Sequence, residues 1–188
     1  MNTSMKKVLV AGLFAVSVGL CGKAYAAASD TMQISVTPSV TFGVQITSVN
    51  ASGYQFGTVA LGATTESTAA ITLTNTGTIP EYFAMAITNT SGNWVATSTA
   101  AAVDNFRMIG EFSSTQPDMS SGFNTADALT PSSPGTAATL YGQASTKTSP
   151  VSGSNTQKLW LRLEMPTSLN LGTTGAQTTT LTVTGQAS

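Results

Sequence analysis

The chain has no histidine, and its one cysteine, Cys21, falls within the first two dozen residues. Charge is scarce as well: seven Lys and Arg stand against eight Asp and Glu in 188 residues. Each shortage excludes something. Without histidine, a Ser or Thr nucleophile lacks its usual base. Zinc and other borderline metals lack their commonest ligands. A single cysteine makes no intramolecular disulfide. Beyond the N-terminus there is also no apolar run long enough to span a bilayer as a helix.

That N-terminus reads as a secretory signal. Lys6 and Lys7 form a positive n-region, and Val8–Leu20 is an apolar h-region of about a dozen residues, too short for a membrane span. Ala24-Tyr25-Ala26 places small residues where a signal peptidase reads them, so cleavage is expected after Ala26, with Ala28 the neighbouring alternative. Leu20 precedes Cys21 where a lipoprotein signal needs a small residue, so Cys21 is assigned to the discarded peptide. The expected mature chain starts at Ala27 and carries no membrane span, cysteine or covalent attachment signal. Its localisation is then extracellular, or at the cell surface through non-covalent assembly, with the periplasm as the other compartment.

The mature part has four cations (Arg107, Lys147, Lys158 and Arg162) against all eight acids, a net charge of −4. Four scattered cations do not build the basic face that nucleic acid requires. No cofactor is implied. Asp104, Glu111, Asp118 and Asp127 are too far apart in sequence for a Ca²⁺ loop. Lys147 and Lys158, the remaining candidate bases, lie in no Ser-x-x-Lys motif. The chain is therefore expected not to be an enzyme.

What is present is Thr, Ser, Ala and Gly interleaved with single large apolar residues at a period of two. Met32, Ile34 and Val36 alternate with polar residues; Val40, Phe42, Val44 and Ile46 do so after Pro38. Tyr54–Val59, Ala69–Leu73, Phe106–Phe112, Leu159–Met165 and Leu181–Val183 continue the series, and Tyr82–Thr88 is apolar on both faces. Seven to nine strands separated by Gly, Asn, Pro and Ser signals predict an all-β fold. The expected architecture is an antiparallel two-sheet sandwich, Ig-like or jelly-roll-like, forming a single domain over 27–188. The exception is a Ser/Thr/Pro-rich insertion at about 113–156, with one short hairpin expected around Ala138–Gln143 and contact or recognition as its sharper role.

Two functional readings follow from different classes. Low charge and high β-propensity favour strands that add to strands of other chains. The cleaved N-terminus, with Met32, Ile34 and Val36 as candidate donor contacts, is suited to that. Alternatively, Trp94 and Trp160 are candidate surface-stacking aromatics of a monomeric adhesin or carbohydrate-binding module, with Tyr54, Tyr82 and Tyr141 in support. Packing of Trp160 beneath the long insertion or against the second sheet competes with that role.

Phe56-Gly57-Thr58-Val59 through Gly62, followed by Ala70-Ile71-Thr72-Leu73-Thr74-Asn75-Thr76-Gly77, is a cadence found in secreted Ig-like domains, including hydin-type modules. Over Gln55–Ala86, with a looser echo in Leu159–Pro166, the chain resembles the fibre-forming TasA/camelysin-type subunits of bacterial matrix filaments. The resemblance implies a secreted structural subunit of a fibre, pilus-like filament or biofilm matrix, polymerising by donation of an N-terminal strand. The expected partner is then the chain itself or another secreted protein, with polysaccharide the partner of the alternative. The metalloprotease activity described for some camelysin-type relatives does not carry over to a chain without histidine.

Overall fold

The computed structural model describes residues 32–33, 35–48, 53–131, 150–170 and 175–188. The expected signal segment 1–26, Ile34 and the expected hairpin at 138–143 lie outside them. The chain divides into two compact units, Met1–Pro38 and Ser39–Ser188. In the first, the described residues form no strand, and Met32 and Val36 are each 81% exposed.

The second unit is nearly all β. Its strands are β1 (Val44–Ile46), β2 (Thr64–Glu66), β3 (Ile71–Asn75), β4 (Glu81–Ile87), β5 (Val95–Ala96), β6 (Asn105–Phe112), β7 (Ala128–Leu129), β8 (Thr156–Glu164) and β9 (Leu181–Ala187). Seven make one sheet in the order β1-β3-β8-β6-β5, with β2 also on β8 and β7 also on β6; β4 and β9 pair separately. The two long central strands have full edges. One edge of β8 is shared by β3, in register Ile71↔Leu159, and β2, in register Thr64↔Glu164. Its other edge takes β6 from Arg107↔Glu164 to Phe112↔Leu159.

Central position explains their composition. A strand covered on both faces loses the polar half of the alternation. In β8, Leu159 and Leu161 enter the main core with Ile71, Phe83, Met85, Phe106, Met108 and Phe112, while Trp160 enters a second cluster with Ile109 and Phe123. The main core unites residues of both sheets. At roughly 1.5–3 kcal/mol for each fully buried large side chain, it is the principal source of stability. Strand β9, by contrast, keeps the simple pattern, with Leu181 and Val183 half-buried and Thr182 and Thr184 exposed.

One pair departs from the antiparallel expectation. β5 lies parallel to β6, Val95 opposite Asn105. Parallel neighbours ordinarily need a crossover of a dozen or more residues. Here both paired segments are only two residues long, and Asp104 at φ +55° lets the chain reverse just before β6. The Ser/Thr/Pro-rich stretch is also not a uniform loop. Asn124 caps a short 3-10 turn at Thr125–Asp127, β7 pairs with β6, and Phe123, Leu129 and Val151 are buried.

At one end of the smaller sheet, Glu81 is fully buried and its Oε1 accepts the Gly43 N–H at 2.9 Å. A Cβ on Gly185 would run into that carboxylate, so β9 reaches its position only because residue 185 has no side chain.

Candidate functional site

The two sheets are unequal, and the inequality leaves a groove. The apolar face of the large sheet runs across β3, β8 and β6, but only β4 and β9 lie over it. An opening of about 840 Å³ remains, with Leu181 at the start of β9 in its lining. Ile71, Phe106, Met108, Leu161 and Leu163 belong to its lining, with segments 53–59 and 175–181 at its margins.

Both margins are pinned. On the first, Tyr54 and Phe56 stack edge to face at 5.0 Å, and the Thr68 N–H donates to Tyr54 Oη at 2.7 Å. Gly62, at φ +71°, turns the chain, and its N–H donates to the Pro166 carbonyl at 2.8 Å. On the second, Thr179 Oγ1 donates to the Thr88 carbonyl at 2.6 Å and Thr180 N–H donates to Thr88 Oγ1 at 3.0 Å.

The edges of the small sheet differ in a way that matters. The outer edge of β4 is occupied: Glu81 and Val151 exchange both backbone bonds, at 3.0 and 2.8 Å, and Ile87 N–H donates to Thr130 O. The β4–β9 register pairs Thr88 with Thr180 through a backbone bond and points the Glu81 and Ile87 amides away from β9. Alternation then directs the backbone groups of Leu181, Val183 and Gly185 to the outer edge of β9. Among the described residues no strand pairs with that edge.

The groove has little acid–base chemistry of its own. Among the described residues its lining includes no carboxylate, ammonium or guanidinium, and Tyr54 is the titratable residue there. It suits burial of apolar side chains. Ile46 and Leu61, which line it, are 37% and 48% exposed.

The residues singled out by sequence are placed as follows. Met32 and Val36 are exposed; Ile34 lies outside the described residues. Trp94 and Trp160 are buried, at 8% and 9% exposure, so a ligand could stack on either ring only by displacing its cover. Trp160 packs against Ile109 and Phe123, and its Nε1–H donates to the Ser113 carbonyl at 3.1 Å, which ties the start of the Ser/Thr/Pro-rich stretch to β8. Trp94 joins the main core and also lines the groove; its buried Nε1–H has no acceptor among the described residues. Asp104, Glu111, Asp118 and Asp127 do not converge, and no group of three potential metal ligands exists among the described residues. Lys147 lies outside them.

The charges that do meet serve the far face of the large sheet. Arg107 forms a two-pronged pair with Glu164, at 2.8 and 2.7 Å, and Arg162 Nη2 adds a third bond at 3.0 Å. Arg107 and Glu164 are direct cross-strand partners, so sheet register sets this geometry. The groove itself escapes a reading by periodicity, because segments 53–59 and 175–180 form no strand. The only local hints are the shared phase of Tyr54 and Phe56 and the glycines around them.

No protein-family model matches the chain, and no curated protein matches it in sequence. Among the described residues no helix is long and apolar enough to cross a membrane.

Proposed function

We propose that this chain is a secreted structural subunit, its two sheets arranged as an Ig-like sandwich, that self-assembles into an extracellular fibre, pilus-like filament or matrix. The observation that carries this reading is the edge of β9 that pairs with no strand among the described residues, with Leu181 at its start lining an apolar groove. A row of unpaired backbone groups next to uncovered hydrophobic surface is a template for another strand. Proteins that stay monomeric ordinarily blunt such an edge with lysine, proline or a covering loop. Here the edge residues are Leu181, Val183 and Gly185, flanked by threonines. Exposed apolar side chains at Val40, Phe42 and Val95 offer further surface to bury, and the low net charge keeps the electrostatic barrier to association small.

The deciding experiment is negative-stain electron microscopy of the chain from Ala27 onward over a concentration series, with a parallel sizing run. Regular filaments of constant width are expected. Monomer-sized particles at every concentration refute the reading.

A further inference from the structure

We propose that the groove is a binding site for a neutral, largely apolar small molecule. The inference does not depend on the subunit reading, because the groove and the outer edge of β9 are different places. Leu181 belongs to the lining, whereas Val183 and Gly185 do not. The lining runs from Ile46 to Leu181, inside the unit Ser39–Ser188.

Size is the first property that selects this guest. An opening of about 840 Å³ falls within the range of about 300–1,000 Å³ that small-molecule sites occupy. A guest strand fits less well. The margins 53–59 and 175–180 form no strand, so along them there is no ladder to extend.

Chemistry is the second. The floor is aliphatic and aromatic, and the polar side chains around it are already committed to the protein. Tyr54 Oη is bonded to the Thr68 N–H at 2.7 Å and to Thr68 Oγ1 at 3.3 Å. Thr90 Oγ1 donates to Gln177 Oε1 at 3.0 Å, and Gln177 Nε2 donates to the Gly175 carbonyl at 3.0 Å. Thr178 Oγ1 donates to Ser91 Oγ at 3.2 Å, and Thr179 Oγ1 is held by the Thr88 carbonyl. A sugar needs polar groups free to meet its hydroxyls, and buried hydroxyls left unmet oppose binding. An ionised ligand fares worse, because among the described residues the lining has no charge to pair with it.

Rigidity is the third. An apolar opening between soft walls closes on itself, since collapse removes the same surface from water. Here one wall is fixed by the bonds from Thr68 to Tyr54 and from Gly62 to Pro166, the other by those of Thr179 and Thr180 to Thr88. A site formed in advance binds without the loss of loop and side-chain freedom that a soft one incurs.

The test uses a matched pair of dyes on the chain from Ala27 onward. N-phenyl-1-naphthylamine is neutral; its 8-sulfonate adds one negative charge to the same rings. The neutral dye should bind saturably, with fluorescence enhancement, and the sulfonate at least ~10-fold more weakly. Ile46→Asp and Leu61→Asp place a charge in the lining at residues that are 37% and 48% exposed, so the fold should stand. Each should weaken the neutral dye at least ~10-fold. Val103→Asp, at an exposed apolar residue outside the lining, should leave its affinity unchanged. With methionine methyl groups labelled for NMR, the neutral dye should shift Met108 and Met165, which line the groove, and leave Met119, exposed and outside it, in place. That readout decides the question should a variant fail to fold. Equal affinity for the two dyes, equal loss in Val103→Asp, a shift at Met119 without Met108 and Met165, or no saturable binding each overturns the site. All four leave the subunit reading intact, since that reading stands or falls on filaments.

Discussion

Trp160 and Trp94 have near-identical burial and opposite hydrogen bonding, so paired substitutions isolate one bond. Trp160→Ala removes a buried indole between Ile109 and Phe123 and releases the Ser113 carbonyl. Truncations of this kind cost about 3–5 kcal/mol. Trp160→Phe retains most of the packing but abandons the bond, and a half-buried carbonyl left unpaired costs up to ~1–3 kcal/mol. Trp94→Phe shrinks the ring equally, yet its Nε1–H has no acceptor among the described residues, so no bond is lost. The two Trp→Phe variants should therefore differ by about 1–2 kcal/mol, with Trp160 the costlier site. Urea unfolding followed by circular dichroism measures this. With slopes of about 1–3 kcal/mol per molar, Trp160→Ala should move the midpoint down by more than ~1 M. An unchanged midpoint in Trp160→Ala would mean that the indole is not packed as described, and would restore its claim to be a stacking surface. Equal losses in the two Trp→Phe variants would refute the hydrogen-bond argument alone.

Other consequences are as direct. Arg107→Met leaves Glu164 with only Arg162 at a site about nine-tenths buried, and should cost ~3 kcal/mol in the same unfolding assay. Gly185→Ala drives a methyl group into the Glu81 carboxylate and should cost about 1–3 kcal/mol; Glu81→Ala in the same chain should recover part of the packing loss. The Ser120 hydroxyl, then the Ser120 and Ser121 backbone amides, hold the Asp118 carboxyl below its usual 3.8. A carboxyl depressed in the folded state adds stability above its ordinary value and loses it as pH falls through the lowered one. Ser120→Ala should therefore raise the Asp118 midpoint in an NMR titration, and an unmoved midpoint would contradict the turn geometry.

Period-two reading located β3, β4, β6, β8 and β9 because each has at least one face dictated by the core. For β8 it also separated Leu159 and Leu161 from Trp160, Arg162 and Glu164. It stopped there because the second set resembles a solvent face. Trp160 is covered by a distant part of the chain, and Glu164 is matched by an arginine on β6, facts of tertiary structure that local spacing does not hold. Val40 and Phe42 show the converse error. Their alternation is as clean as that of β8, but only Val44–Ile46 forms a strand, because only there does β3 supply a partner. Buried Glu81 was invisible for a related reason: its acceptor role depends on the Gly43 amide 38 residues away.

The groove follows from the same asymmetry between pattern and partner. Alternation tells a strand which face is apolar but not whether anything covers it. In this chain the large sheet has enough apolar residues on β3, β6 and β8 for a full second layer, and the described residues supply only β4 and β9. A shortfall of about one strand is a cost to the isolated chain. At roughly 25 cal/mol per Å² of apolar surface, covering a few hundred Å² would return several kcal/mol, enough to decide between free and associated states once the entropy of joining is met.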